Sequence, residues 1–164
     1  MQGDRAIIER LNQVLTNELT SVNQYFLHAR MMQNWGYKRL GKLIYDESIG
    51  EMRHADKLIH RILFLDGLPN LQDLHKLAVG ETVLEALNAD LALEHRGRTS
   101  LVAGVAQCEA AQDFVSREIL VEILRDTEEH IDFLETQLNL ASALGEANYL
   151  QSAAGELEEQ GAGA

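Results

Sequence analysis

Two hexapeptides set a histidine three residues after a polar position: Glu51-Met52-Arg53-His54-Ala55-Asp56 and Thr127-Glu128-Glu129-His130-Ile131-Asp132. Residues three apart project about 60° from one another on a helix, so Glu51 and His54 share a face and can serve one metal centre. Carboxylate oxygen beside imidazole nitrogen suits iron, manganese or zinc, and a donor set without thiolate disfavours soft-metal chemistry. The second copy keeps its histidine and carries threonine where the first has glutamate. Two further acids, Glu18 and Glu94, stand where a 3–4 apolar spacing calls for core residues.

Helices must position these side chains. A single proline, 5% aromatic residues and abundant Leu, Ala, Glu and Arg favour helix over sheet, and 164 residues with 46% apolar content suffice for one domain with a real core. Turn signals at Asn34-Trp35-Gly36, Asp66-Gly67-Leu68-Pro69-Asn70, Gly80 and Gly145 divide the chain into periodic stretches over about 4–35, 39–65, 82–111 and 113–144. A short fifth helix over 146–156 follows, and the end, GELEEQGAGA, has the composition of a frayed tail. The expected organisation is a single domain over 1–157 with a flexible tail over 158–164. Short links after the first and third helices force antiparallel hairpins, while 66–81 is long enough to cross the bundle's length. The fold class is therefore all-α, a four-helix bundle with a long crossover between the second and third helices.

The apolar stripes of the four helices are interrupted at Glu18, at Glu51 and His54, at Glu94, and at Thr127 and His130. Helix midpoints fall near residues 20, 52, 97 and 128, so the interruptions lie at one level and should converge in the bundle's centre. Buried carboxylates without a partner cost several kcal/mol and repel one another, which calls for a cation. No Lys or Arg shares the stripe at that level; Arg98, one turn from Glu94, is the side chain that could reach in. Di-iron helix bundles carry one Glu on each of two helices and Glu-x-x-His on each of the others, and five of those six positions are filled here. His28, His60, His75 and His95 fall off the central stripes and are expected at the surface or an interface. Cys108 reads as a small core residue.

Charge and hydropathy narrow the partners. A formal net charge of -12 repels nucleic acid and anionic membranes and concentrates cations. No run reaches the roughly 18 apolar residues of a membrane span, and the charged N-terminus lacks a signal-peptide core, so a cytoplasmic location is expected.

The stretches NQYFLHARM (23–31), ESIGEMRHADK (47–57), RILFLDGLPNLQDL (61–74), DFVSREIL (113–120), EEHIDFLETQL (128–138) and NYLQS (148–152) are similar to the bacterioferritins. That resemblance covers about residues 1–152. It implies a ferritin-like fold, a 24-subunit hollow cage, ferroxidase chemistry on Fe(II) at an intra-subunit di-iron site, and storage of Fe(III) mineral. It also implies haem b between paired subunits and a ferredoxin-type electron donor for iron release. The implied iron ligands fall on Glu18, Glu51, His54, Glu94 and His130, with Glu51 bridging. The second bridging glutamate is replaced by Thr127, whose neutral hydroxyl is too short and weak a donor to span two metals. Asp126 lies nearer the site than Glu128, but its side chain is short for the missing role.

Other departures from the family pattern are Gly50, Asp46 and Phe133, while Tyr25 is retained as an electron donor. Met52, rotated about 100° from Glu51, is the implied haem ligand, with Leu19, Phe26, Tyr45 and Ile49 on compatible faces. Together these readings give a haem-holding cage subunit with weakened oxidation. The rival is a haem-bearing, catalysis-poor subunit of a mixed cage whose partner subunit supplies the ferroxidase.

Overall fold

The computed structural model describes residues 1–155. Five α-helices follow in chain order: α1 (Arg5–Asn34), α2 (Lys38–Phe64), α3 (Val83–Ala110), α4 (Phe114–Leu144) and α5 (Glu146–Ala154). Among the described residues there is no strand. The expected bundle with a short C-terminal fifth helix is the observed one; the domain limit at 157 and the tail over 158–164 lie outside the described residues. No described helix is long and apolar enough to cross a membrane.

Local chemistry sets the helix limits. The Asp4 carboxylate accepts from Ala6 N at 2.7 Å to cap α1, and Thr82 Oγ1 accepts from Glu85 N at 3.2 Å to cap α3. At the end of α1 the chain turns through Gly36, φ 95°, with Gly36 N bonded to Gln33 O and Tyr37 N to Met32 O. This paired arrangement satisfies carbonyls that the last turn would otherwise orphan. The same pairing closes α2 at Asp66 and α3 at Gln112, both non-glycine residues with positive φ.

Asp113 caps α4 through Ser116 N at 3.0 Å and also accepts from Arg61 Nη2 at 2.7 Å. That ion pair ties the C-terminal end of α2 to the start of α4.

The crossover is strapped along α1 by side chains of that helix. Asn12 Nδ2 donates to Leu68 O and Asn12 Oδ1 accepts from Asn70 N; Thr20 Oγ1 accepts from His75 N, Gln24 Oε1 from Ala78 N, and His28 Nε2 from Gly80 N. His28, expected at a surface or interface, is instead fully buried. Its ring is held between the Gly80 amide and Asp90 Oδ1, which lies 2.8 Å from Nδ1. Because Nε2 accepts, the proton sits on Nδ1 and is donated to Asp90. His60 and His95 are exposed as expected, and so is His75, whose Nε2 meets Asn17 Oδ1.

The core divides into two apolar clusters. One gathers Tyr25, Met32, Ile44, Leu87, Leu93 and Leu134; the other Leu11, Leu15, Leu58, Ile62, Leu101, Cys108 and Ile123. In sequence along every long helix, the polar interruptions lie at the join: Glu18 after Leu15, Glu51 and His54 before Leu58, Glu94 after Leu93, Thr127 and His130 after Ile123.

Candidate metal centre

Glu18, Glu51, His54, Glu94, Thr127 and His130 are all buried. α1, α2, α3 and α4 contribute to one layer because helices of 30, 27, 28 and 31 residues, packed in parallel and antiparallel, bring their middles level. Two groups of ligand atoms lie within 4.8 Å of one another, Glu18 with Glu51 and His54, and Glu51 with Glu94 and His130. Glu51 belongs to both. A carboxylate has two oxygens, so this shared position is where one side chain can hold two cations at once.

The hydrogen bonds orient the donors. His54 Nδ1 lies 3.1 Å from both Glu18 Oε2 and Glu51 Oε2, while its Nε2 meets Asp126 Oδ2 at 2.8 Å. His130 Nδ1 lies 2.8 Å from Glu94 Oε1, which also accepts from the buried Tyr25 hydroxyl. The Tyr25 and His130 rings meet edge to face with centroids 5.1 Å apart, and Phe133 stacks with His130 at 6.0 Å. A cleft of about 290 Å³ between α2 and α4 opens onto this layer, lined by Glu47, Gly50, Glu51, His54, Asp126, Glu129 and His130 among others.

Electrostatics show what the layer wants. Burial, then the Glu18 charge, push Glu51 up to about 8 against the pull of His54. Burial opposes a charge on His54, but hydrogen bonds to Glu18 and Glu51 outweigh it and raise the ring to about 11. The same contest at His130, won by the Glu94 carboxylate, gives about 9. Glu94 is raised by burial and Glu51, and Glu47 by burial. Each shift retains positive charge or removes negative charge, which is the response of a carboxylate-rich pocket to the lack of a fixed protein cation.

Arg98 does not supply that cation. Its guanidinium turns outward and pairs with Glu128 at 2.8 Å, where both ends stay half in water and avoid the desolvation that an inward turn would cost. Asp126 does approach, as a partner of His54, and belongs to neither ligand group. The His28–Asp90–Gln24 cluster was missed at the sequence level; its signal was Asp90 one turn before Glu94 on the same face of α3, and Gln24 one turn before His28.

The ferritin-like domain family matches residues 8–144. The bacterioferritin of Brucella melitensis is 48% identical over 159 residues, which are 97% of this chain and 99% of that one. This chain belongs to the bacterioferritins. The bacterioferritin of Mycobacterium leprae is 49% identical over 149 residues, 91% of this chain and 94% of its own. That of Streptomyces coelicolor is 47% identical over 152 residues, 93% and 91% respectively. Each of these relatives is matched over nearly its whole length, so the bacterioferritin assignment covers the bundle and not a fragment of it. Within this bacterioferritin fold, Met52 is 53% exposed on the side of α2 turned from the centre.

Proposed function

We propose that this bacterioferritin chain is a cytoplasmic subunit of a 24-copy iron-storage cage, each copy a single domain over 1–157. It takes Fe(II) as substrate among Glu18, Glu51, His54, Glu94 and His130 and oxidises it slowly. The observation that carries the reading is Glu51, shared by two buried carboxylate–imidazole groups. Mixed oxygen and nitrogen donors suit ferrous iron. Each Fe(II) gives up one electron to dioxygen or hydrogen peroxide; the protein's part is to hold the ions together, neutralise their charge and keep the ligand rings oriented.

Thr127 is the weak member. It is buried in the layer but brings no negative charge and no second shared carboxylate, so Glu51 alone would link the two positions. Stopped-flow oxidation of Fe(II) by the purified homopolymer tests this. The reading expects a rate well below that of a six-ligand bacterioferritin with retention of the iron inside the cage. Oxidation as fast as in that relative overturns the slow-turnover claim, and failure to retain iron overturns storage.

Haem b fits the outer face of α2. The Met52 thioether is a soft ligand exposed on a helix surface, Tyr45 and Ile49 precede it at helical spacing, and exposed Phe26 contacts Tyr45 with ring centroids 6.2 Å apart. A two-fold contact with a second copy would supply a second Met52 from the same residue. When bound, haem supplies one-electron transfer, which suits reduction of stored iron by a ferredoxin-type donor. The combination of an apolar Met52 face with Thr127 in the centre favours a second reading, a haem-bearing subunit of a mixed cage whose partner subunit carries the faster ferroxidase. Co-purification with a chain that has glutamate at the position of Thr127 would support it.

A further inference from the structure

The two halves of the centre are not equivalent. Asp126 immediately precedes Thr127 on α4 and reaches across to His54 Nε2. The corresponding position on α2, immediately before Glu51, is Gly50, and the ring that faces α2 from the other side is His130. His130 Nε2 is buried and has no hydrogen-bond partner.

The consequence follows from tautomers. Both rings turn Nδ1 toward the carboxylates, so a metal taken there leaves the proton of the neutral ring on Nε2. For His54 that proton is donated to the Asp126 carboxylate, which fixes the ring and raises its basicity. For His130 it would remain a buried donor without an acceptor, and such a donor opposes the coordinated form. In addition, Glu94 on the His130 side is engaged by the Tyr25 hydroxyl, a donor from outside the ligand set, while Glu18 on the other side meets His54 and Glu51, both of them ligands.

We infer that the centre fills in a fixed order: a divalent cation takes the Glu18–Glu51–His54 position first, with Asp126 as its positioning residue. The Glu51–Glu94–His130 position is weaker by about 10–100-fold, the usual cost of a missing outer partner. This rests on the reading of the layer as a metal centre. Gly50 is then the source of the inequality. A Cβ added at Gly50 meets no atom within 4 Å, so a longer side chain has room there.

The test uses the assembled, chelator-treated protein and Co(II), under anaerobic conditions, with calorimetry and the visible d–d bands read together. One tight equivalent per subunit and a second about 10–100-fold weaker are expected. His54→Ala should remove the tight equivalent and its nitrogen-perturbed band, whereas His130→Ala should leave both. Asp126→Asn should weaken the first equivalent and alter its band without lowering the melting temperature of the cage. Gly50→Asp should tighten the second equivalent toward the first; Gly50→Ala, which changes helix propensity without adding an acceptor, should not.

Two equivalents of equal affinity would overturn the order. So would a tight equivalent that survives His54→Ala and vanishes in His130→Ala, or a Gly50→Asp protein indistinguishable from Gly50→Ala. Absence of any Co(II) band sensitive to either histidine would instead overturn the metal-centre reading on which the order rests.

Discussion

At Glu51 a buried carboxyl sits beside the Glu18 charge and keeps its proton up to about pH 8. His54 and His130, raised to about 11 and about 9, hold theirs on the same side of neutrality. The signs agree. A histidine raised above its ordinary 6.5 contributes stability that is complete below that value and is lost as pH climbs through the folded one. A glutamate raised from 4.5 makes folding less favourable as pH rises toward 8. The folded protein therefore binds more protons than the unfolded chain between about pH 6.5 and 9, and its stability falls with pH across that window. Thermal melts of the chelator-treated protein should show a falling midpoint from pH 6.5 to 9, flattened in Glu51→Gln and reversed by bound Co(II). A midpoint that rises or stays level contradicts the assignment of these protons. On the proposed reading, Thr127→Glu would add a negative charge and a second carboxylate able to link the two positions; stopped-flow traces should show Fe(II) oxidation faster by about tenfold or more, about 1.4 kcal/mol in barrier. An unchanged rate would show that Thr127 is not the limiting departure. At this scale the sequence was informative because ionisable residues interrupted apolar stripes at matched depths. The fate of Arg98 was not legible, since helical spacing places a Cβ but says nothing about whether a long side chain turns toward water.

The helices themselves were readable from their 3–4 stripes and turn residues, with limits within a few positions of those observed; α5 ends at Ala154 where the pattern extended to 156. The path of the crossover was not. It is held by Asn12, Thr20, Gln24 and His28 bonding to loop backbone, and side chain to backbone bonds of that kind carry no periodicity in the sequence. His28 anchors this strap from the interior. Replacing it with Ala leaves the fully buried Asp90 carboxylate without its imidazole donor, with Gln24 as its remaining side-chain partner; the loss of a hydrogen bond to a buried polar group costs about 1–3 kcal/mol. Urea unfolding of His28→Ala should show that loss, and hydrogen exchange should accelerate first at the Ala78 and Gly80 amides. Wild-type stability and exchange in the variant would mean that the crossover is held by other contacts.

For the molecule as a whole, two groups of exposed apolar side chains stand on the surface. Met52 and Phe26 are about half exposed, and Leu68, Leu71 and Leu74 leave the crossover with apolar surface facing outward. On the proposed cage, such surface on a protein with 26 acidic and 14 basic residues is where subunit contacts are expected. On the proposed haem reading, Met52→Leu keeps the volume and removes the thioether, so the purified variant should lack the haem absorption expected of the wild type while its elution volume stays that of the wild type. A variant that retains the native haem spectrum would exclude Met52 as the axial ligand. Assembly size was not legible from stripes and turns, because those patterns report burial within one chain; it entered only through the family resemblance. The account as a whole depends on iron choosing the buried layer over the acidic surface. Anomalous diffraction at the iron edge from crystals soaked anaerobically in Fe(II) decides this: the account predicts a peak among Glu18, Glu51 and His54, joined at higher Fe(II) by one among Glu51, Glu94 and His130. Iron found only on surface carboxylates, with this layer empty, would contradict it.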